Sequence, residues 1–320
     1  DLEKIEVFCK EQLGLGVTRI LPTLTTNSLE VLGAALENLA HLADQSPLFD
    51  SMFLGVHLEG PYISPVDGPR GAHPKLHCRI PDIEEFQWLQ ARAQGRIRLV
   101  TLSPEFETSD EMIRSLVAEG VIASIGHTAA SCEQIRRAVD SGATMSTHLG
   151  NGMHPEILRH PNYLWEQIAD DRLMGGLIAD GVHLDKAVLK VILRSKGNGN
   201  CVLVSDTTHL SGMPAGLYTD SSLGDVEVTE DQRLVIAGQR QLNAGAYRPL
   251  KYGVEFLMKR LQLPMRDAFR LASLNPLGLM NPKLPETELL KTFVVVGVNR
   301  QNSIEVVLSV IDNQVVFQAA

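Results

Sequence analysis

Glu59, His127, His148 and Asp206 are the residues whose types and placement could do chemistry together. Each closes an apolar run: Phe53-Leu54-Gly55-Val56-His57-Leu58-Glu59 precedes Gly60-Pro61, Val121–Ile125 precedes Gly126-His127, Ala143–Thr147 precedes His148, and Cys201–Ser205 precedes Asp206. Side chains alternate along a strand, so His57 and Glu59 share one face while Val56 and Leu58 take the other. A carboxylate ending an apolar strand is costly unless a metal ion or a buried Arg or Lys neutralises it. One carboxylate with two imidazoles is a frequent set for a catalytic zinc that leaves a position open for water. Asp206 beside such a water would carry its proton. The residues are far apart in sequence, so the repeated strand-end placement is itself the signal. Plainer readings stand beside it. A strand-end histidine is often just hydrogen-bonded. His57 either supports Glu59 or is simply packed. Glu105 is a ligand or an ordinary helix start after Ser103-Pro104. By pattern, His73 and His77 are surface residues of a glycine-rich loop, His154, His160 and His209 are loop residues, and Arg159 is a solvated charge or an anion clamp.

The elements that position these residues alternate. Apolar strands are predicted to end near Leu24, Glu59, Ser103, Gly126, His148, Asp180 and Asp206. Helices over Asp1–Leu13, Leu29–Leu42, Ile83–Gln94, the stretch ending at Glu119, the stretch from Ser131 to Gly142, and the stretch from Asp185 to Gly197 stand between or before them. Asn27 with Glu30, Thr108 with Glu111, and Ser131 with Gln134 have the spacing of helix caps. Strand–helix alternation requires crossovers, hence a parallel sheet. Polar residues at the carboxyl ends of the strands point to an α/β fold of the (β/α)₈ TIM-like barrel type. Its first strand is expected upstream of Asp1. An open doubly wound sheet fits seven strands too, but its glycine-rich phosphate turn is not seen. Beyond Asp206, Asp225–Ile236 reads as two short strands, Tyr247–Leu261 and Met265–Ala272 as helices, and Phe293–Val298, Ser303–Ile311 and Gln314–Gln318 as antiparallel strands. The expected division is a hydrolase barrel over 1–285 and a small β subdomain over 286–320.

The chain has 320 residues, 44% of them hydrophobic, enough for one large core with an appendage. A net charge of −9 without a long basic run weighs against nucleic acid as the partner. Cys9, Cys78, Cys132 and Cys201 form no Cys-x-x-Cys pair, so a reduced, cytoplasmic protein is expected. No run of 18 apolar residues predicts a membrane span.

His57-Leu58-Glu59-Gly60-Pro61, Gly71-Ala72-His73, Gly126-His127-Thr128, Thr147-His148-Leu149-x-Asn151-x-Met153, Asp180-Gly181-Val182-His183 and Ser205-Asp206 follow one another in a familiar order. That order resembles the N-acetylglucosamine-6-phosphate deacetylases of the amidohydrolase superfamily, from about Leu21 to Gly238, with a weaker echo at Ala272–Pro276. The resemblance implies that Glu59, His127 and His148 bind a divalent metal. One zinc is expected, with iron or a second metal left open. It implies that Asp206 activates the water and later protonates the amine, and that His183 contacts the substrate near the acetamide. The backbone around Asn151 and Gly152 would hold the sugar phosphate, Arg159 would reach a phosphate across a homodimer interface, and His73 would lie near the sugar. The chain departs from the family pattern in three places. Gly150 stands where an aromatic is usual. Arg159-His160-Pro161-Asn162 replaces Arg-Glu-Pro-Gly, followed by an extra segment over Tyr163–Arg172. Gln239 follows Ala237-Gly238 where a small residue is usual. These departures favour deacetylation more firmly than one particular sugar. Open alternatives are a cyclic amidase or deaminase of the same superfamily and a non-catalytic sugar-binding relative. No lysine ends a strand to be carboxylated, as many cyclic amidases require.

Overall fold

The computed structural model describes residues 1–220 and 223–319. Seven parallel strands form one sheet in chain order: β1 Thr23–Thr25, β2 Val56–Glu59, β3 Ile97–Leu102, β4 Ile122–Ile125, β5 Met145–Ser146, β6 Met174–Leu177 and β7 Cys201–Leu203. Each strand pairs only with its sequence neighbours, the order of a (β/α) barrel. Helices α1 Leu2–Gly14, α2 Leu29–Gln45, α3 Pro47–Met52, α4 Ile83–Arg92, α5 Ser109–Ala118, α6 Cys132–Asp140, α7 Tyr163–Ala169 and α8 Lys186–Lys196 alternate with them. After β7 come an antiparallel sheet of β8 Gly216–Asp220, β9 Gly224–Val228, β10 Leu234–Ile236 and β11 Gln239–Asn243, and then helices α9 Leu250–Arg260, α10 Met265–Ala272, α11 Leu274–Met280 and α12 Glu286–Leu289. Strands β12 Phe293–Val298, β13 Ile304–Ile311 and β14 Gln314–Gln318 close the chain as a second antiparallel sheet.

Strand β2 is buried on both faces. Its outward Val56 and Leu58 join Leu32, Leu36, Phe86 and Leu89 of α2 and α4 in the largest core cluster. The inward residues of the seven strands lie in three layers. Leu99, Met145 and Val202 form an apolar floor. Above it runs a hydrogen-bonded polar layer: His57 Nδ1 to the Thr23 hydroxyl at 3.2 Å, His57 Nε2 to Thr101 Oγ1 at 2.7 Å, Thr101 to Thr147 at 2.6 Å and Thr147 to Ser124 at 2.6 Å. This chain satisfies groups that are costly to bury unpaired. Glu59 sits one residue pair higher, at the mouth. His57 is therefore a hydrogen-bonded support beneath Glu59.

The helix starts obey local chemistry with two exceptions. Ser131 and Gln134 make the full reciprocal box at α6. At α2 the cap is Ser28 instead of Asn27: the Ser28 hydroxyl accepts from Val31 N–H, and Asn27 accepts from Ser28 N–H. Thr108 heads α5 without a side-chain cap, because its hydroxyl donates to the Pro81 carbonyl. The run before Leu24 forms only a three-residue strand plus an isolated bridge from Ile20 to Phe53. Pro22 has no N–H to extend the ladder. The segment over Tyr163–Arg172 holds a helix, α7, and Asp225–Ile236 is the centre of a four-stranded sheet. Among the contacts of the C-terminal sheet with the barrel's helices, the Ser309 hydroxyl donates to the Leu13 carbonyl of α1, and Ile304 N–H donates to Glu255 of α9. No helix among the described residues is long and apolar enough to cross a membrane.

Candidate metal centre and active site

The strand exits are locally unusual. His127, His148 and Asp206 all have left-handed backbones, with φ of +48°, +27° and +53°. Such conformations are uncommon for non-glycine residues and cluster at functional sites. Here each marks the turn by which the chain leaves β4, β5 or β7.

Glu59 Oε1 lies 3.0 Å from His127 Nε2, 3.4 Å from His148 Nε2 and 3.3 Å from His73 Nε2. The two ligand-type nitrogens, His127 Nε2 and His148 Nε2, are 3.0 Å apart. All four residues are buried. His73, placed by pattern in a surface loop, is instead 4% exposed and part of this cluster. Glu59, His73 and His127 can each bring one ligand atom within 4.8 Å of the others.

The second nitrogen of each ring sets what the first can do. His127 Nδ1 faces the Pro69 carbonyl at 2.8 Å and must donate to it, so Nε2 presents a lone pair to the centre. His73 differs: its Nδ1 accepts the Thr26 backbone N–H at 3.4 Å and faces the Thr26 hydroxyl at 2.9 Å. Its proton then sits on Nε2, which donates to Glu59. His148 Nδ1 is buried and has no partner among the described residues. The Glu59 carboxylate oxygen, the His127 lone pair and His148 Nε2 converge on one point, a donor set that fits a divalent cation.

The electrostatics agree. Burial works against the charged Glu59 carboxylate, yet the ring nitrogens of His127, His148 and His73 set close around it hold it well below the usual carboxylate range. Burial also opposes a charge on His148, but the Glu59 hydrogen bond and charge, with Asp206, raise it to about 9. Burial, then His127, lowers His73 to about 4. The centre therefore attracts positive charge at His148, between the carboxylates. Burial first, then the charge of Glu59, pushes Asp206 up to about 6, with His148, His183 and His127 opposing. Asp206 thus shares the field of the cluster.

Around this centre the other expected residues take definite places. Asp180 accepts the backbone N–H groups of Val182 and His183 at 2.8 and 2.9 Å and the His183 Nδ1–H at 2.7 Å. It orients the His183 ring, and Nε2 has no hydrogen-bond partner among the described residues. The place of Asp180 three residues before His183 is the sequence signal for this pairing. Asn151 folds back on His148, its backbone N–H and Nδ2 both donating to the His148 carbonyl. Gly152 has φ +57°, and a Cβ there would meet His127 Nδ1 at 2.8 Å. Gly150 has φ +94°, a conformation strained for any residue with a Cβ, and that Cβ would meet the end of the Leu184 side chain at 2.8 Å, so an aromatic here would be strained. Arg159 is exposed, outside the buried cluster, and its guanidinium has no ion-pair partner among the described residues. Glu105 is a structural clamp: one carboxylate oxygen meets the Ser103 hydroxyl and Ala129 N–H. Gln239 is exposed at the start of β11. The segment that packs on Asp206 is Gly245-Ala246, where Ala246 N–H donates to the Asp206 carbonyl at 2.7 Å. A Cβ on Gly245 would come within 2.9 Å of that same oxygen.

No protein-family model matches the chain. Curated and solved proteins do. The N-acetylglucosamine-6-phosphate deacetylase of Bos taurus is 35% identical over 284 residues, 86% of this chain and 67% of the relative. The N-acetylgalactosamine-6-phosphate deacetylase of Shewanella sp. (strain ANA-3) is 32% identical over 277 residues, again 86% and 67%. The chain thus spans about two thirds of the length of these relatives. A variant N-acetyl-D-glucosamine-6-phosphate deacetylase from Mycobacterium smegmatis, solved with N-acetyl-D-glucosamine-6-phosphate, superposes with a TM-score of 0.81 at 28% identity, over 96% of this chain and 79% of that one. With a parallel barrel sheet, a carboxylate–imidazole cluster at its mouth and relatives alike over most of its length, this chain belongs to the N-acetylglucosamine-6-phosphate deacetylase family of the amidohydrolase superfamily.

Proposed function

We propose that the protein hydrolyses the acetamide of N-acetylglucosamine 6-phosphate to acetate and the amino sugar phosphate. The observation that carries this reading is the convergence of Glu59, His127 and His148 beneath the strand exits, with Asp206 in the same field. Glu59, His127 and His148 would hold one Zn²⁺. Bound there, the metal polarises the acetamide carbonyl and makes water more acidic. His73 steadies the Glu59 carboxylate from the sugar side. Asp206 takes the proton of the attacking water on a carboxylate oxygen. It returns that proton to the sugar nitrogen as the C–N bond breaks. His183, fixed by Asp180, offers Nε2 to the acetamide.

At the other end of the sugar, Asn151 and Gly152 form the turn that would receive the phosphate. The N–H groups of Gly152 and Met153 have no partner among the described residues, which supports an anion site there. Arg159 would complete it from a second copy of the chain. Leu158 and Trp165, 75% and 49% exposed on the same stretch, support a homodimer. Sedimentation velocity should give about twice the 35.1 kDa chain mass, and a purely monomeric profile would remove Arg159 from the partner's site. Four free cysteines are in keeping with a reducing, cytoplasmic setting. The strands over 286–320 are read as a β subdomain attached to the barrel of 1–285.

Release of free amine from N-acetylglucosamine 6-phosphate, with zinc supplied, tests the reading, with the N-acetylgalactosamine phosphate and unphosphorylated N-acetylglucosamine run in parallel. Turnover is expected to be greatest with the first. Preference for the galactosamine compound would change the sugar. Absence of turnover on all three would move the substrate elsewhere within the amidohydrolases or return the protein to the non-catalytic alternative.

A further inference from the structure

The residues after the arginine loop, where the chain departs from its family's pattern, build a device of their own. Asn162 replaces the usual glycine and works in both directions. Its Oδ1 caps α7, accepting Leu164 and Trp165 N–H at 3.1 and 3.0 Å, while Nδ2 donates to the Leu158 and Arg159 carbonyls. The far end of α7 is held as firmly. Lys196 of α8 is 4% exposed, and its ammonium donates to the carbonyls of Gln167, Ile168 and Asp170. A cation at a helix carboxyl end satisfies both the orphan carbonyls and the dipole. Arg136 of α6 adds a two-point contact to Glu166. So braced, α7 presents Tyr163 to the loop carrying Asn151 and Gly152. The Tyr163 hydroxyl accepts His154 N–H at 3.0 Å and shares a hydrogen bond with His154 Nδ1 at 2.9 Å. From the opposite side Gly68 approaches so closely that a Cβ would lie 3.1 Å from His154 Cα and 3.3 Å from the Met153 carbonyl. Tyr163 also lines the crevice shared by His127, Asn151, Gly152 and Met153.

We propose that Tyr163 is a positioning residue for the phosphate end of the substrate: its hydroxyl pins Met153-His154 and so sets the direction of the unpaired Gly152 and Met153 N–H groups. The proposal rests on the deacetylase reading and refines it. A loop held by one side-chain oxygen affects binding of the group that loop receives, and leaves the proton chemistry at Asp206 alone. Tyr163→Phe removes only that oxygen. It is expected to raise KM for N-acetylglucosamine 6-phosphate about fivefold, with kcat essentially unchanged. The kcat/KM for unphosphorylated N-acetylglucosamine, where measurable, should stay the same. Inorganic phosphate should weaken as a competitive inhibitor by the same factor. Asn162→Gly, which loosens the loop from its other end, should move the same KM and serves should Tyr163→Phe fold poorly. If the wild type does not turn over the phosphorylated sugar, the functional reading itself falls. If the wild type does and KM is unmoved in both variants, or both sugars suffer alike, Tyr163 is structural only and the proposal is overturned.

Discussion

Asp206→Asn is expected to retain its metal and lose turnover by about a thousandfold. The substitution is informative because of the backbone it sits on. Asp206 has φ +53°, a conformation in which asparagine is one of the few comfortable side chains. The exit from β7, the hydrogen bond from Ala246 to its carbonyl and the close approach of Gly245 should all survive. What disappears is a carboxylate able to accept a proton from water and return it to nitrogen. The proposed ligand set does not include Asp206, so metal content per chain should match the wild type. Steady-state kinetics beside elemental analysis checks both halves. Turnover within tenfold of wild type would take the proton transfer away from Asp206. Loss of metal together with activity would make it a ligand.

Glu59→Gln should act at the other end of the same chemistry. The carboxylate faces three buried histidines, and the close contacts with His127, His148 and His73 all fall on Oε1. An amide keeps the shape and removes the charge. A divalent cation held by a neutral oxygen and two imidazoles loses its main electrostatic partner. Affinity should fall by at least about a hundredfold, since even changes one shell further out cost 10- to 100-fold. Zinc per chain after dialysis against a chelator is the direct measurement. Chelated wild-type protein should be inactive and regain turnover when zinc returns, whereas Glu59→Gln should need excess zinc for any activity. A variant that keeps stoichiometric zinc through the same dialysis would mean that the histidines suffice and that Glu59 has another purpose.

Much of this protein is legible along the chain because the controlling physics is local. Apolar runs that end in a charge or an imidazole, Ser131 three residues before Gln134, and glycines after helices each act within a few residues. The strand order then follows from alternation. The short-range rules failed where a distant atom competed for the same group. Thr108 was drawn from its cap to the Pro81 carbonyl, and α7 is stabilised by Lys196 and Arg136 from neighbouring helices, contacts no helix-length window contains. The small sheet after β7 was half-seen, because β8 and β11 are exposed edges with little apolar alternation.

By itself the sequence determined the barrel type, the residue types available for chemistry and the strand ends that carry them. Only the tertiary structure decided what each histidine can be. His127 and His73 have the same side chain and lie equally buried beside Glu59, yet a carbonyl behind one ring and an N–H behind the other give them opposite protonation patterns. Those partners, Pro69 and Thr26, lie 58 and 47 residues away in the chain. A proton's position on an imidazole is fixed by whatever stands behind it, and only folding brings that group there.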